Sequence, residues 1–180
     1  MPITLRRAGA DDAKPLHDLA ARTFGLATPP GLPQSDIDAF IALNLSVEAF
    51  TGYLADPLRV LTVAEEDDSP VGYSMLVGGP VRDPELVAVL GRAAGEVPLI
   101  ELSKFYVLAG SHGSGVAATL MAATLTAAGA AGAAYCWLGV NDRNERAARF
   151  YAKHGFELIG TKPFRVGETH FVDHVRGRTV

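Results

Sequence analysis

Residues 101–118 read Glu-Leu-Ser-Lys-Phe-Tyr-Val-Leu-Ala-Gly-Ser-His-Gly-Ser-Gly-Val-Ala-Ala, a strand-like run that enters a glycine-rich bend and leaves it as an alanine-rich stretch. A strand feeding such a bend into a helix leaves the first helical N–H groups without intrahelical acceptors, pointing out of the helix end. The positive end of the helix dipole lies there too, so the arrangement favours an anion, most often a phosphate. Further along, Asn144-Glu-Arg-Ala-Ala-Arg-Phe-Tyr-Ala-Lys-His-Gly-Phe156 reads as a short helix closed by a glycine. Its Asn144 and Tyr151 share one face. Together the segments predict a pyrophosphate-bearing cofactor beside an acid–base site.

Composition narrows the setting. A chain of 180 residues, 48% apolar and 20% charged, can bury a proper core as one domain spanning 1–180. Every long apolar run contains Gly, Pro or charge, so no membrane span is expected. The N-terminal Met1-Pro-Ile-Thr-Leu-Arg-Arg lacks an apolar signal core. Cys136 is the lone cysteine, which fits a reducing cytoplasm. A net charge of −4 argues against nucleic acid and suits a cationic substrate.

The pattern of elements is mixed α/β. Residues 3–7 read as a strand, and Asp11 or Asp12 caps a helix through Gly25, with Leu16, Leu19, Ala20 and Phe24 as its apolar stripe. Thr28–Pro33 breaks the chain. Ser35 is expected to cap a helix over Asp36–Leu45, and Ser46 to open another that ends near Pro57. Strands at Arg59–Ala64 and Val71–Val77 flank an acidic loop, Glu65–Pro70, which is read as a solvated turn. A helix at 83–94 precedes the strand at 99–108. Val116, Leu120, Met121, Thr124 and Leu125 keep helical spacing up to a stop at Gly132. Tyr135–Val140 reads as a buried strand, and Phe156–Val166 with Thr169–Val175 as a closing pair that turns at Gly167.

Gly113-Ser-Gly-Val-Ala-Ala118 also satisfies the dinucleotide pattern G-x-G-x-x-G/A. That reading requires further β–α alternation after it, whereas the remaining chain ends in a strand pair. A plain glycine turn between strand and helix is the simpler rival.

The two segments resemble the GNAT superfamily of acetyl-CoA-dependent N-acetyltransferases. Its cofactor loop, Q/R-x-x-G-x-G/A, is matched here by His112-Gly-Ser-Gly-Val-Ala117, with His where Gln or Arg is usual. Its helix N-x-x-A-x-x-F/Y-Y-x-K-x-G-F is matched from Asn144 through Phe156. Glu101–Val107, Trp137–Val140, and Phe164-Arg-Val-Gly-Glu with Asp173 are similar to bacterial polyamine acetyltransferases of the PaiA type. Phe171 and Val172 depart from that subgroup, which is polar there.

The resemblance implies the acyl-CoA N-acyltransferase fold: a single α/β domain, a mixed twisted sheet with flanking helices. It implies acetyl-CoA as co-substrate, held by His112, Gly113, Ser114, Gly115, Val116, Ala117 and Ala118, and by Asn144. It implies that the central strand splays from its parallel neighbour, freeing backbone groups near Phe105, Tyr106 and Val107 for the pantetheine arm. The expected partner is a small-molecule amine, a polyamine included, with no nucleic acid, no metal and no membrane; a homodimer is compatible. A protein N-terminus as acceptor, or an acyl-CoA-binding regulator without turnover, are the alternative readings.

Acetyl transfer needs a neutral nitrogen, and an alkyl amine with pKa near 10.4 is neutral in roughly one molecule in a thousand or fewer at pH 7. Glu101, at the start of the central strand, is the candidate base, provided burial raises its pKa. Tyr151 is the candidate acid for the departing thiolate: a phenol near 10 lies about 1.5 units above an alkyl thiol, roughly 2 kcal/mol. Asn144 lies two turns before it, about 10 Å along the axis, to hold the cofactor arm or cap the helix. Phe150 is expected to be the packed aromatic beside it. Cys136, mid-strand between Tyr135 and Trp137, reads as structural. His170 and His174 lie too far apart along a strand to share a metal. His174 is a substrate-contact candidate, and Asp36, Asp38, Glu48 and Asp173 are candidate carboxylates for a cationic acceptor.

Overall fold

The computed structural model describes residues 2–111 and 115–180. Among the described residues, seven strands form one sheet in the order β1-β2-β3-β4-β5-β7-β6. The strands are β1 (Ile3–Arg7), β2 (Arg59–Glu66), β3 (Ser69–Val77), β4 (Leu99–Val107), β5 (Tyr135–Asn141), β6 (Glu157–Val166) and β7 (Thr169–Thr179). All neighbours are antiparallel except β4 and β5, which run parallel. The helices are α1 (Ala13–Ala27), α2 (Gln34–Asn44), α3 (Val47–Ala55), α4 (Pro84–Ala94), α5 (Val116–Ala130) and α6 (Glu145–Lys153). This is the mixed α/β architecture expected.

Side-chain alternation sends the two faces of the sheet to different layers. On one face, Leu61, Val63, Tyr73 and Met75 pack with Leu16, Leu19 and Phe24 of α1 and Phe50 of α3. On the other, Leu76, Ile100, Leu102, Cys136 and Leu138 pack with Met121 of α5 and Tyr151 of α6. Ser74 and Thr124 join their hydroxyls at 2.7 Å inside that second layer, and the Thr124 hydroxyl donates to Leu120 O, so neither of these two hydroxyls is stranded. Each fully buried Leu or Phe in these layers contributes about 2 kcal/mol over its exposed state.

Several boundaries differ from the sequence reading for local reasons. Ser35 is not a cap: α2 begins at Gln34, directly after Pro33, and Ser35 sits inside the first turn. α1 passes Gly25 and ends at Ala27, where the Thr28 hydroxyl donates to Gly25 O at 2.8 Å. Asp12 precedes α1 as expected, but its carboxylate accepts from Gly9 N and Arg6 instead of the first turn of the helix. The acidic loop shrinks to Asp67–Asp68, both at positive φ, with Glu65, Glu66, Ser69 and Pro70 absorbed into the hairpin. Ser46 and Asn144 cap as expected, accepting from Ala49 N and Ala147 N at 3.1 Å each. β7 runs on to Thr179, extending the pairing with β5 past Val175.

By length and apolar composition alone the stretch Gln34–Ala55 is long enough to cross a membrane. It carries Asp36, Asp38 and Glu48, and at Ser46 the backbone leaves the helical region (φ −70°, ψ 166°), so it folds as α2 and α3 around a bend. Phe50 of α3 is wholly buried against Tyr73.

A candidate active site at the gap between two parallel strands

Pairing between β4 and β5 covers only Leu99↔Tyr135, Ile100↔Cys136 and Glu101↔Trp137. Beyond Glu101 the strands diverge. β4 keeps β3 on its other side through Val107, and β5 keeps β7 through Asn141. Among the described residues, Leu102 to Tyr106 thus present one edge without a strand partner, the splay expected from the resemblance. A cavity of about 250 Å³ lies at this gap, with Glu101, Phe105, Tyr106, Asn144 and Tyr151 on its wall.

A bulge sets which side chains face it. Leu102 pairs with Leu76 and Lys104 with Met75, which leaves Ser103 as the extra residue. The bulge resets the alternation, so Glu101, Lys104 and Tyr106 face the α1 side of the sheet together. Asn141, Asp173, Lys162, Phe164 and Phe171 share that side, because Asn141↔Asp173, Lys162↔Asp173 and Phe164↔Phe171 are register partners. Phe24 of α1 and Phe40 of α2, stacked with centroids 4.4 Å apart, roof this chamber. Leu102, Phe105, Val140, Asn144, Ala147 and Tyr151 reach the cavity from the α5 and α6 side. The gap therefore joins two half-sites across the sheet.

Electrostatics differ sharply along the wall. Burial raises the Glu101 carboxyl above its ordinary value, although Lys162, Lys104 and Arg59 pull it down. Burial pushes the Lys104 ammonium down to about 8, helped by Arg59 and opposed by Glu101. Burial holds Asp173 up at about 6. Among the described residues, none of Glu101, Asp173, Lys104 and Lys162 makes an ion pair within 4.0 Å. Asp173 Oδ1 and Asn141 Nδ2 are buried with no hydrogen-bond partner among the described residues. Gly139 lies beneath Asp173 and Lys162: a Cβ there would lie 2.5 Å from Lys162 Cε and 3.1 Å from Asp173 Oδ2. Unpaired buried polar atoms are costly, so a bound molecule is the natural partner for these.

Tyr151 is 9% exposed, and burial first, then Tyr106 and Cys136, hold its hydroxyl well above the ordinary phenol range. The phenol is thus fully protonated at neutral pH and a weaker acid than the reference value implied. Tyr151, not Phe150, is the packed aromatic; Phe150 is only half-buried and touches His154 and Phe105. Asn144 Oδ1 is committed to capping α6, and the residue lines the cavity, so its Nδ2 is the side-chain donor left over from the cap.

Toward the other end of the site, Gly115 opens α5 at φ 91°, a left-handed conformation that L side chains rarely adopt. Val116 is fully buried with Leu120 and Val71, so only its backbone N–H is available to a ligand. Ala117 and Ala118 follow in the first turn, where N–H groups lack helical acceptors. His112, Gly113 and Ser114 lie outside the described residues. Val107 ends β4 without lining the cavity. Cys136 is buried and pushed up to about 12 by burial, the structural thiol expected. Asp36, Asp38, Glu48 and His174 do not line the cavity; Asp173 does. No cluster of metal-ligating side chains occurs among the described residues.

Sequence reasoning missed Lys104, Lys162, Asn141 and three of the four phenylalanines, Phe24, Phe40 and Phe164; Phe171 stood out only as a departure from the polar pattern of the PaiA type. Lys104 was hidden because an odd–even offset from Glu101 places it on the opposite face unless a bulge intervenes. Lys162 and Asn141 join the site only through cross-strand register.

Residues 17–156 match the acetyltransferase (GNAT) family. An uncharacterized N-acetyltransferase of Mycobacterium tuberculosis is 45% identical over 167 residues, covering 93% of this chain and 97% of the relative; one from Mycobacterium bovis matches equally. Among solved structures, the PaiA N-acetyltransferase of Thermoplasma acidophilum in complex with coenzyme A superposes with TM-score 0.73 at 16% identity, covering both chains fully. A probable acetyltransferase of Staphylococcus epidermidis gives 0.74 at 14% identity over 99% of each chain.

Proposed function

The chain belongs to the acetyltransferase (GNAT) family and is an acetyl-CoA-dependent N-acetyltransferase, and on that premise we propose that its acceptor is the primary amine of a small molecule, acetylated by direct attack. The observation that carries this is the cavity at the β4–β5 gap, about 250 Å³, with Glu101 and Tyr151 on its wall. Acetyl-CoA supplies an activated acetyl thioester. The open edge of β4 at Phe105 and Tyr106, with Asn144 Nδ2 across the gap, provides donors and acceptors for an amide-bearing arm. N–H groups of Gly115–Ala118 at the start of α5 suit its diphosphate.

Glu101 takes the amine proton through a water. Its carboxyl, raised by burial, is a better base than a free carboxylate. It also borders a second crevice of about 340 Å³, which gives that water a route to solvent. Tyr151 delivers a proton to the leaving sulfur. Its high pKa keeps the proton in place until negative charge develops there, and it makes that transfer harder than the reference phenol value implies.

The enclosure of the chamber by α1, α2 and the β6–β7 hairpin favours a small molecule over a protein N-terminus, which needs an open groove. A polyamine is supported by Asp173 Oδ1, which has no partner among the described residues, and by the resemblance of the sequence to the PaiA type, and opposed by Lys104 and Lys162 in the same chamber. The buried single cysteine accords with our placing the reaction in the cytoplasm. Calorimetry with acetyl-CoA, followed by CoA release with small amines, spermidine and short peptides, tests the reading. Release with small molecules is expected; release with peptides alone sinks it.

A further inference from the structure

We infer that the acceptor is an amino acid with an aromatic or branched apolar side chain, because the chamber presents two ammoniums, two carboxylates and a ring of phenylalanines. This rests on the small-amine reading above and narrows it.

The four charged groups are the starting point. Glu101 and Asp173 face the chamber with Lys104 and Lys162, and among the described residues none makes an ion pair within 4.0 Å. The lysines lean on aromatic faces instead: Lys104 Nζ is 5.5 Å from the Tyr53 ring and Lys162 Nζ 5.7 Å from the Trp137 ring. The two lysines act on Glu101, and Lys162 on Asp173, only from beyond 4.0 Å, so these charges lack direct contacts and the arrangement is completed by a ligand that carries both signs. A polycation meets two ammoniums. A plain amine satisfies the carboxylates and leaves both lysines unmatched. An amino acid matches both: its carboxylate to the lysines and its nitrogen to the Glu101 end, where the strands part.

The rest of the wall fixes the side chain. Phe24 and Phe40 stack in parallel, and Phe164 meets Phe40 edge-on with centroids 6.2 Å apart. Phe171 is the register partner of Phe164. An apolar or aromatic group packs there without stranding a polar atom. In the reaction the acetyl C–S bond breaks as the C–N bond forms. The nitrogen's proton goes by water to Glu101, and the sulfur takes one from Tyr151.

The test compares kcat/KM, by CoA release, for phenylalanine and leucine against their decarboxylated amines, phenethylamine and isopentylamine, with spermidine as polycation. The amino acids are expected to win by about tenfold or more, the size of a charge-assisted contact. Lys162→Gln should shrink that ratio about tenfold, because it removes the contact that only the amino acid makes. Amines or spermidine matching the amino acids would overturn this inference and leave the small-amine reading standing. Acetyl-CoA binding with no small molecule acetylated would overturn both. The wild-type ratio decides the matter whether or not Lys162→Gln folds.

Discussion

The two borders of β4 are built oppositely. On the β3 side six residues stand paired, antiparallel, with apolar layers packed on both faces of β3. On the β5 side pairing stops after three residues, and beyond them lies a cavity lined by buried charge. Closed ladders and packed apolar faces supply stability; the open edge forgoes some of it and gains groups able to hold and polarise a ligand. Substitutions at the closed border should therefore move stability alone, and those at the open border activity first.

Tyr151→Phe gives the largest change expected. Removing the hydroxyl at the open border should lower kcat by about 10³-fold while acetyl-CoA still binds. A loss under about threefold would mean that the thiolate finds its proton elsewhere. Leu16→Ala, in the dry layer under β2 and β3, should cost about 3 kcal/mol of unfolding free energy, with KM for acetyl-CoA unchanged below the lowered melting temperature. A raised KM in that variant would break the division of labour between the borders.

The smallest effect sharpens it. Asp173 is held at about 6 by burial, with Lys162 and His174 pulling it down and Asp142 pushing it up. A carboxyl whose folded pKa exceeds its unfolded value stabilises the protein below the ordinary carboxylate range and loses that contribution as pH rises through the folded value. Asp173→Asn should thus match wild type below about pH 4 and be more stable by about 2 kcal/mol near about pH 7. Melting curves across that interval check it, and a pH-independent difference would refute the assignment.

Helices and strands were legible because their signals are local: the stripe of α1, the Ser46, Asp83 and Asn144 starts, and the glycine bend before α5. The acidic loop was misjudged in length because a two-residue hairpin turn depends on pairing across it. Glu101, Tyr151 and Asn144 were named from position, chemistry and resemblance, and all three line one cavity, reaching it from opposite faces of the sheet. Beyond Glu101 and Asp173 the make-up of the acceptor chamber was not legible, since its members come from α1, α2 and four strands.

The order of elements, the glycine bend and the identities of the acid and base candidates are written in the sequence, because each depends on residues within a few positions of one another. The bulge at Ser103, the parting of β4 from β5 and the meeting of Lys104 and Lys162 with Glu101 and Asp173 were decided only in three dimensions. Register between distant strands determines which face a side chain takes, and a shift of one residue reverses it.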